Sequence, residues 1–443
     1  MELKDKKVLV AGLGKSGMAA FALLKDMGAH VSLYDGKEDL VLEDMGVPVY
    51  LGNFPKDVVA GFDCAVFSPG VPLDILLAVF LRECGIPIIG EIELAYMREK
   101  GKVIGITGTN GKTTTTTLVG EIMKAFNENT FVVGNIGNPY TKEVEKSSPG
   151  SVTVAEISSF QLETIADFSP DVSAVLNITP DHLNRHKTME NYIDAKLAIT
   201  KNQGKEKLCV LNYEDEVLRE KAKDITCRAA FFSSKRKLKD GMYKDEAGNL
   251  VLGTDGRVLL NQKDTRLPGD HNAENIMAAL LMAFEMGVPE DVAIRAVKEF
   301  KPVEHRVEFV KTVAGVDYYN DSKGTNPDAA IKGIQSMDRP TVLIGGGYDK
   351  GGDFTEWIRS FDGKVKKLLL LGATKEKIAE DAGKCGFTEY QFVDSLEEAV
   401  RTAAGLAEPG EAVLLSPACA SWDMFDSYEQ RGNMFKDFVK GLE

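Results

Sequence analysis

The residues best equipped for chemistry lie between positions 108 and 196. Gly108-Thr109-Asn110-Gly111-Lys112-Thr113-Thr114 follows the apolar run Val103–Thr107 and leads into a helical pattern. Backbone amides around the glycines can cradle phosphates, the Lys112 ammonium can reach the β/γ region, and the Thr113 hydroxyl can bind Mg²⁺. The generic phosphate loop keeps four residues between its first glycine and its Gly-Lys pair. Here Ile106 stands at the first-glycine position, so the loop is a shortened variant. Glu156 closes another apolar strand, Val152–Ala155, where a carboxylate can serve as a Mg²⁺ ligand or simply face solvent. His182, in Thr179-Pro180-Asp181-His182, can ligate metal or contact a phosphoryl group, and Lys196 sits in a helical pattern. By residue type alone, both read more readily as polar surface.

Further along, His271-Asn272-Ala273-Glu274-Asn275 opens a helix after Pro268-Gly269. Asn272 and Asn275 share a face at this spacing, and two amides suit the donor–acceptor edge of adenine, or else cap the helix. Asn320-Asp321-Ser322-Lys323-Gly324-Thr325 forms a polar strand-to-helix junction in which Asp321 suits ribose hydroxyls and Lys323 phosphate. Ser416–Asp423 ends the strand Ala412–Leu415 in a similar way. Near the start, Gly12-Leu13-Gly14-Lys15-Ser16-Gly17 fits the dinucleotide-binding spacing, and Asp35 ends the next strand where a ribose-binding acid would sit. Taken alone, that motif suggests a nicotinamide-dependent dehydrogenase, a reading that leaves the loop at 108–114 without a role. A non-catalytic module that changes shape on binding ATP is a second rival.

Short apolar runs alternate with longer helical patterns along the chain, the mark of parallel α/β architecture. A buried strand, a glycine-rich turn and a helix recur from Val8, from Val103 and from Thr341, which places boundaries near residues 95 and 300. The expectation is three α/β domains: residues 1–95 Rossmann-like, 96–300 a P-loop ATPase-type parallel sheet, and 301–443 Rossmann-like. The formal net charge of −14 argues against a nucleic-acid partner, whose phosphates need a basic footprint, but leaves room for small anions at helix N-termini. The six cysteines form no CxxC pair and read as reduced. Neither a signal-peptide core nor a run of about 18 apolar residues occurs, so a cytoplasmic protein without a membrane span is expected.

In this order, Gly108–Thr114, Glu156 through Gln161, Asp181-His182, His271-Asn272 through Asn275, His305-Arg306 and Asn320 through Thr325 resemble the Mur ligases, which build the peptide stem of peptidoglycan. The resemblance covers the whole chain, and the shortened phosphate loop is the form that family uses. It implies an ATP-dependent amide ligase working through an acyl phosphate. The ending Ser416–Ser421 with Tyr428–Gly432 is similar to members that add D-glutamate to UDP-N-acetylmuramoyl-L-alanine; a sister ligase adding a different amino acid is the alternative. Folate-polyglutamate ligases lack a counterpart of residues 1–95.

The resemblance also implies roles. Gly14, Lys15, Ser16 and Asp35, with Asn135 and Gly137, match the UDP-substrate site. Gly108 through Thr114, with Asn272, Asn275, Arg306 and Asp321, match the ATP site. Lys112, Glu156, His182 and Lys196 match the catalytic set. Lys323, Thr325, Lys350, Ser421 and Tyr428 match the amino-acid pocket. Two Mg²⁺ ions are implied, one at Thr113 and Glu156, the other at His182 and Lys196. An ammonium has no acceptor, and the family resolves this by adding CO₂ to the lysine to give a carbamate. A monomer with only small-molecule partners is expected.

Overall fold

Runs such as Leu9-Val10-Ala11, Val103-Ile104 and Leu343-Ile344 carry no polar side chain, so they can be covered on both faces and become strands of a parallel sheet. The computed structural model describes residues 2–301, 304–348 and 353–442. These residues form three sheets, each flanked by helices, in the mixed α/β, three-domain architecture expected from the sequence.

The first sheet is parallel throughout, in the order Val49–Leu51, His30–Asp35, Lys7–Ala11, Cys64–Phe67, Ile88–Gly90. In the nine-stranded second sheet, Lys102–Thr107 lies between Val152–Glu156 and Val172–Val175, so three strand ends carrying candidate residues are neighbours. One edge departs from the parallel pattern. Met242–Lys244, Asn249–Leu252 and Arg257–Asn261 pair antiparallel, because the turn around Gly248 (φ 83°) is closed by Asp245, whose carboxylate accepts from the Asn249 amide at 2.8 Å. Such a hairpin signal is local, and it was hidden by the α/β rhythm around it. The six-stranded third sheet runs Glu308–Val313, Val316–Asn320, Ala412–Leu415, Thr341–Gly345, Val365–Leu370, Tyr390–Phe392, antiparallel only at its first pair.

The chain divides into two compact units, Met1–Asp264 with Glu274–Phe300, and Thr265–Ala273 with Lys301–Glu443. Within the first unit, the short helix Glu91–Tyr96 ties the two sheets together. The Glu93 carboxylate accepts from the amides of Ala166, Asp167 and Phe168 at 2.8, 2.9 and 3.0 Å, and the buried Glu91 accepts from the amide and hydroxyl of Thr141. Carboxylates placed this way satisfy buried donors that would otherwise destabilise the seam. No helix of the described residues is long and apolar enough to cross a membrane.

Candidate functional site

The phosphate loop lies at the end of strand Lys102–Thr107, and the helix Lys112–Phe126 leaves from it. Gly111 caps that helix in the left-handed region (φ 84°), and a Cβ there would meet the Asn275 Oδ1 at 2.5 Å, so only glycine serves both the turn and the close approach. The loop is held from several directions. Asn177 pairs with the backbone of Asn110 at 2.8 and 3.1 Å, and Thr109 Oγ1 contacts the Tyr192 hydroxyl at 3.0 Å and donates to the Thr179 carbonyl. Lys112 Nζ reaches back to the carbonyls of Gly108 and Thr109 at 2.7 and 2.8 Å. Thr113 and Thr114 are buried in the first helical turn, where backbone amides face an incoming anion.

Two further groups converge here. Glu156 is 1% exposed. Its Oε1 accepts from Asn135 Nδ2 at 2.8 Å, and its Oε2 is buried with no hydrogen-bond partner among the described residues. A buried carboxylate oxygen left without a donor is costly unless a cation takes it, so this atom fits a Mg²⁺ ligand. Asn135 is fixed in turn by its amide, which donates to the Glu156 carbonyl at 2.9 Å. Gly137, at φ 67°, lets that loop turn.

Lys196 is also only 1% exposed, on the helix Met189–Leu197. Its Nζ donates to the Gly108 carbonyl at 2.8 Å, the same oxygen that Lys112 engages, and lies 4.6 Å from the Tyr192 ring centroid. Burial, and then the charge of Lys112, pull its pKa well below the ordinary lysine range. Neither burial could be read from residue type, which favours solvent for a strand-end glutamate and for a helix lysine.

His182 is 39% exposed on its side chain, in a left-handed backbone conformation (φ 54°). Its ring packs edge-on against Phe160 at 4.9 Å, with Asp181 Oδ2 3.6 Å from Nε2. Asn275 Oδ1 accepts from Thr115 Oγ1 at 3.1 Å, behind the phosphate loop. On the first sheet, Gly14 and Lys15 are exposed at the N-terminus of helix Lys15–Asp26, beside Ser16. Asp35 accepts from the Leu13 and Lys37 amides, which fixes the turn.

In the second unit, Asp321 is buried beside Ser416, whose Oγ donates to Oδ2 at 2.7 Å. Burial pushes its pKa up to about 7, against the opposing charge of Arg306. The Arg306 Nε is buried and has no partner among the described residues, a free donor suited to an anion. Asn272 Nδ2 turns back to the Pro268 carbonyl at 2.7 Å. Lys323 lies 5.2 Å from the Tyr428 ring centroid, and Thr325 begins the next turn with its amide on the Lys323 carbonyl.

Ser421 is buried, but not at a helix start as its sequence suggests. Its carbonyl closes a turn with the amides of Met424 and Phe425, and the helix Tyr428–Lys440 starts only after Ser427, which caps it. Arg431, which residue type left unassigned, ties the Ser322 segment to the Cys419–Ala420 segment. Its guanidinium donates to Ser322 Oγ and to the carbonyls of Ser322, Cys419 and Ala420. Lys350 lies outside the described residues.

Three family models match the chain: "Mur ligase MurD-like, N-terminal domain" over residues 6–90, "Mur ligase middle domain" over 106–283, and "Mur ligase, glutamate ligase domain" over 305–419. Among curated relatives, the UDP-N-acetylmuramoylalanine–D-glutamate ligase of Lachnospira eligens is 53% identical over 452 residues, and that of Clostridioides difficile strain 630 is 47% identical over 453; both alignments cover 100% of each chain. Solved structures with the same fold include UDP-N-acetylmuramate-alanine ligase from Thermotoga maritima (TM-score 0.60, 19% identity, 98% of this chain and 99% of that one). A type C pseudomurein peptide ligase from Methanothermus fervidus is another (TM-score 0.61, 20% identity, 99% and 100%).

Proposed function

The chain belongs to the Mur ligase family, and we propose that it joins D-glutamate to UDP-N-acetylmuramoyl-L-alanine at the expense of ATP. The single observation that carries the ligase chemistry is the convergence of Lys112 and the buried Lys196, whose pKa burial and the Lys112 charge pull down, on one carbonyl of the phosphate loop. The choice of D-glutamate rests on full-length relatives that bear that name. We further propose that residues 1–95 take the UDP moiety, 96–300 ATP and 301–443 the amino acid.

The alanine carboxylate attacks the γ-phosphate, giving an acyl phosphate and ADP. The glutamate amine then attacks the acyl carbon, and phosphate leaves as the amide forms. Most of the work is to bring several anions together and stabilise charge that moves between them. Lys112 and the amides of residues 108–114 hold the triphosphate. Thr113 and Glu156 would hold one Mg²⁺, which fits the unpartnered Glu156 Oε2. His182 and Lys196 would hold a second, with Lys196 first adding CO₂ at its neutral amine and losing a proton, so that a nitrogen donor becomes an oxygen ligand. When bound, the ions draw charge from the phosphate oxygens and lower repulsion toward the attacking carboxylate.

Arg306 and Asp321 would serve phosphate and ribose, Asn272 and Asn275 the adenine, and Lys323, Thr325, Ser421, Tyr428 and Lys350 the glutamate. Gly14, Lys15, Ser16 and Asp35 would hold UDP, with Asn135 and Gly137 under the muramoyl group.

The test is ADP release with UDP-N-acetylmuramoyl-L-alanine across a panel of amino acids. D-glutamate is expected to be used, with L-glutamate and D-alanine poor substrates, because a buried hydrogen-bonding pocket rejects misfits that leave its groups unpaired. Ser421→Ala is expected to raise the KM for D-glutamate far more than that for ATP. Faster release with L-alanine, L-lysine or diaminopimelate would identify a sister ligase.

A further inference from the structure

The Arg185 side chain, 15% exposed, touches several elements at once. Nη1 donates to the Pro69 carbonyl at 3.2 Å; Nη2 donates to the Val71 carbonyl at 3.2 Å and to Glu163 Oε2 at 2.6 Å. The guanidinium lies 4.6 Å from the Phe160 ring centroid.

Pro69 and Val71 belong to the turn after strand Cys64–Phe67 of the first sheet. That turn is bound to the glycine-rich turn of the UDP site: Ser68 Oγ donates to the Gly12 carbonyl at 2.7 Å, and Val71 Cγ2 sits 2.6 Å from where a Cβ on Gly12 would be. On the other side, Phe160 packs against His182 and stacks on His186 at 5.4 Å. His186 Nε2 meets Ser159 Oγ at 2.9 Å, and its Nδ1 faces Glu163 Oε1 at 3.4 Å. Ser159 and Phe160 lie three and four residues beyond Glu156, which ends the strand proposed to carry a metal ligand.

The helix Leu183–His186 that carries Arg185 is a single turn between two non-glycine residues of positive φ, His182 (54°) and Lys187 (69°). Such backbone persists only where neighbours over-determine it. The Arg185–Glu163–Phe160 contacts contribute to that constraint, together with Asn191 Nδ2 on the His186 carbonyl at 2.8 Å, so one guanidinium links the loop bearing His182 to the turn after strand Cys64–Phe67.

We propose that Arg185 is a positioning residue that sets the register between the UDP-binding turn and the metal-binding loops, so that one precursor held at its nucleotide end presents its carboxylate where phosphate is transferred. The inference rests on the ligase reading above. The guanidinium has the geometry for this, since its planar fork serves two carbonyls and a carboxylate from fixed directions, which a single ammonium does not.

The test compares parent, Arg185→Ala and Arg185→Lys by steady-state ADP release, with UDP alone as an inhibitor. Misregister far from the chemistry can lower rates by about 100-fold. For Arg185→Ala the expected result is a KM for the precursor raised about tenfold or more and a lowered kcat. The KM for ATP and the Ki for UDP stay within about twofold, because each of those ligands occupies one side of the seam only; Arg185→Lys falls between. The inference is overturned by kinetics equal to parent, by a rise in the ATP KM matching that for the precursor, or by a lowered melting temperature with unchanged kinetics per folded molecule. A UDP Ki that rises with the precursor KM also overturns it, by making Arg185 part of the UDP site itself. A parent protein that releases no ADP with the precursor overturns the ligase reading instead.

Discussion

Replacing Lys196 by alanine separates a structural lysine from a chemical one. The side chain is almost wholly buried, so the change removes three methylenes and an amine from a packed site. At about 0.8 kcal/mol per buried methylene the packing loss is about 2–3 kcal/mol. The Gly108 carbonyl is not orphaned, because Lys112 Nζ stays on it at 2.7 Å, so no large unsatisfied-group penalty adds to that figure. A loss of this size lies within the usual stability of a folded domain, about 5–15 kcal/mol, and the variant is expected to fold.

Activity should fall much further, by about 100- to 1,000-fold, the scale of losing one preorganised contact to developing charge. ADP release, measured in CO₂-depleted buffer with and without acetate or formate, reads the chemistry. A short carboxylate can occupy the vacated volume and supply the missing oxygen, so Lys196→Ala should regain part of its rate. Lys196→Arg should not, since a guanidinium fills the space with charge and no acceptor. Parental turnover in Lys196→Ala, or equal rescue of the arginine variant, would refute the carbamate and leave Lys196 a buried structural amine.

Lys112→Ala should keep its circular-dichroism spectrum and lower turnover by about 100-fold or more, the same scale for a lost charge contact, since its stem is only partly buried. Asp321 carries a pH signature. Its folded pKa of about 7 lies above the ordinary aspartate value of 3.8, so its contribution to stability is complete below about pH 4 and is lost as pH rises through about 7. The urea midpoint of the parent should therefore fall between about pH 4 and 7, and Asp321→Asn should flatten that fall while impairing use of ATP. An identical slope in the variant would remove Asp321 as its source.

Legibility followed backbone demands more closely than side-chain burial. The turns at Gly12 and Gly111 could be placed because a positive φ or a close approach has a residue signature. The parallel strands at Val8, Val103 and Thr341 could be placed because two-sided burial forbids polar residues. Glu156 and Lys196 were visible only through resemblance to a family, since nothing in a single residue tells whether tertiary packing will bury its charge. Glu91, Glu93 and Arg431 escaped for the same reason, as their partners lie far along the chain. The hairpin at residues 242–261 was missed although its turn is local, because one antiparallel edge is compatible with the same apolar spacing as a parallel strand.

The way cations are held separates those that can serve anions from those that hold the fold. A chain with a formal charge of −14 must bind several phosphates and carboxylates, so any cation already matched by a carboxylate adds little. Lys112 lies on the carbonyls of Gly108 and Thr109, and Arg431 on those of Ser322, Cys419 and Ala420. Carbonyl dipoles orient a cation without cancelling its net charge, and the field still reaches a ligand. Arg185 accepts the opposite arrangement: Glu163 lies 2.6 Å away and neutralises it. A neutralised guanidinium makes a poor anion receptor and a good clamp, so the same chemistry that supports the proposed triphosphate role of Lys112 supports the proposed seam role of Arg185.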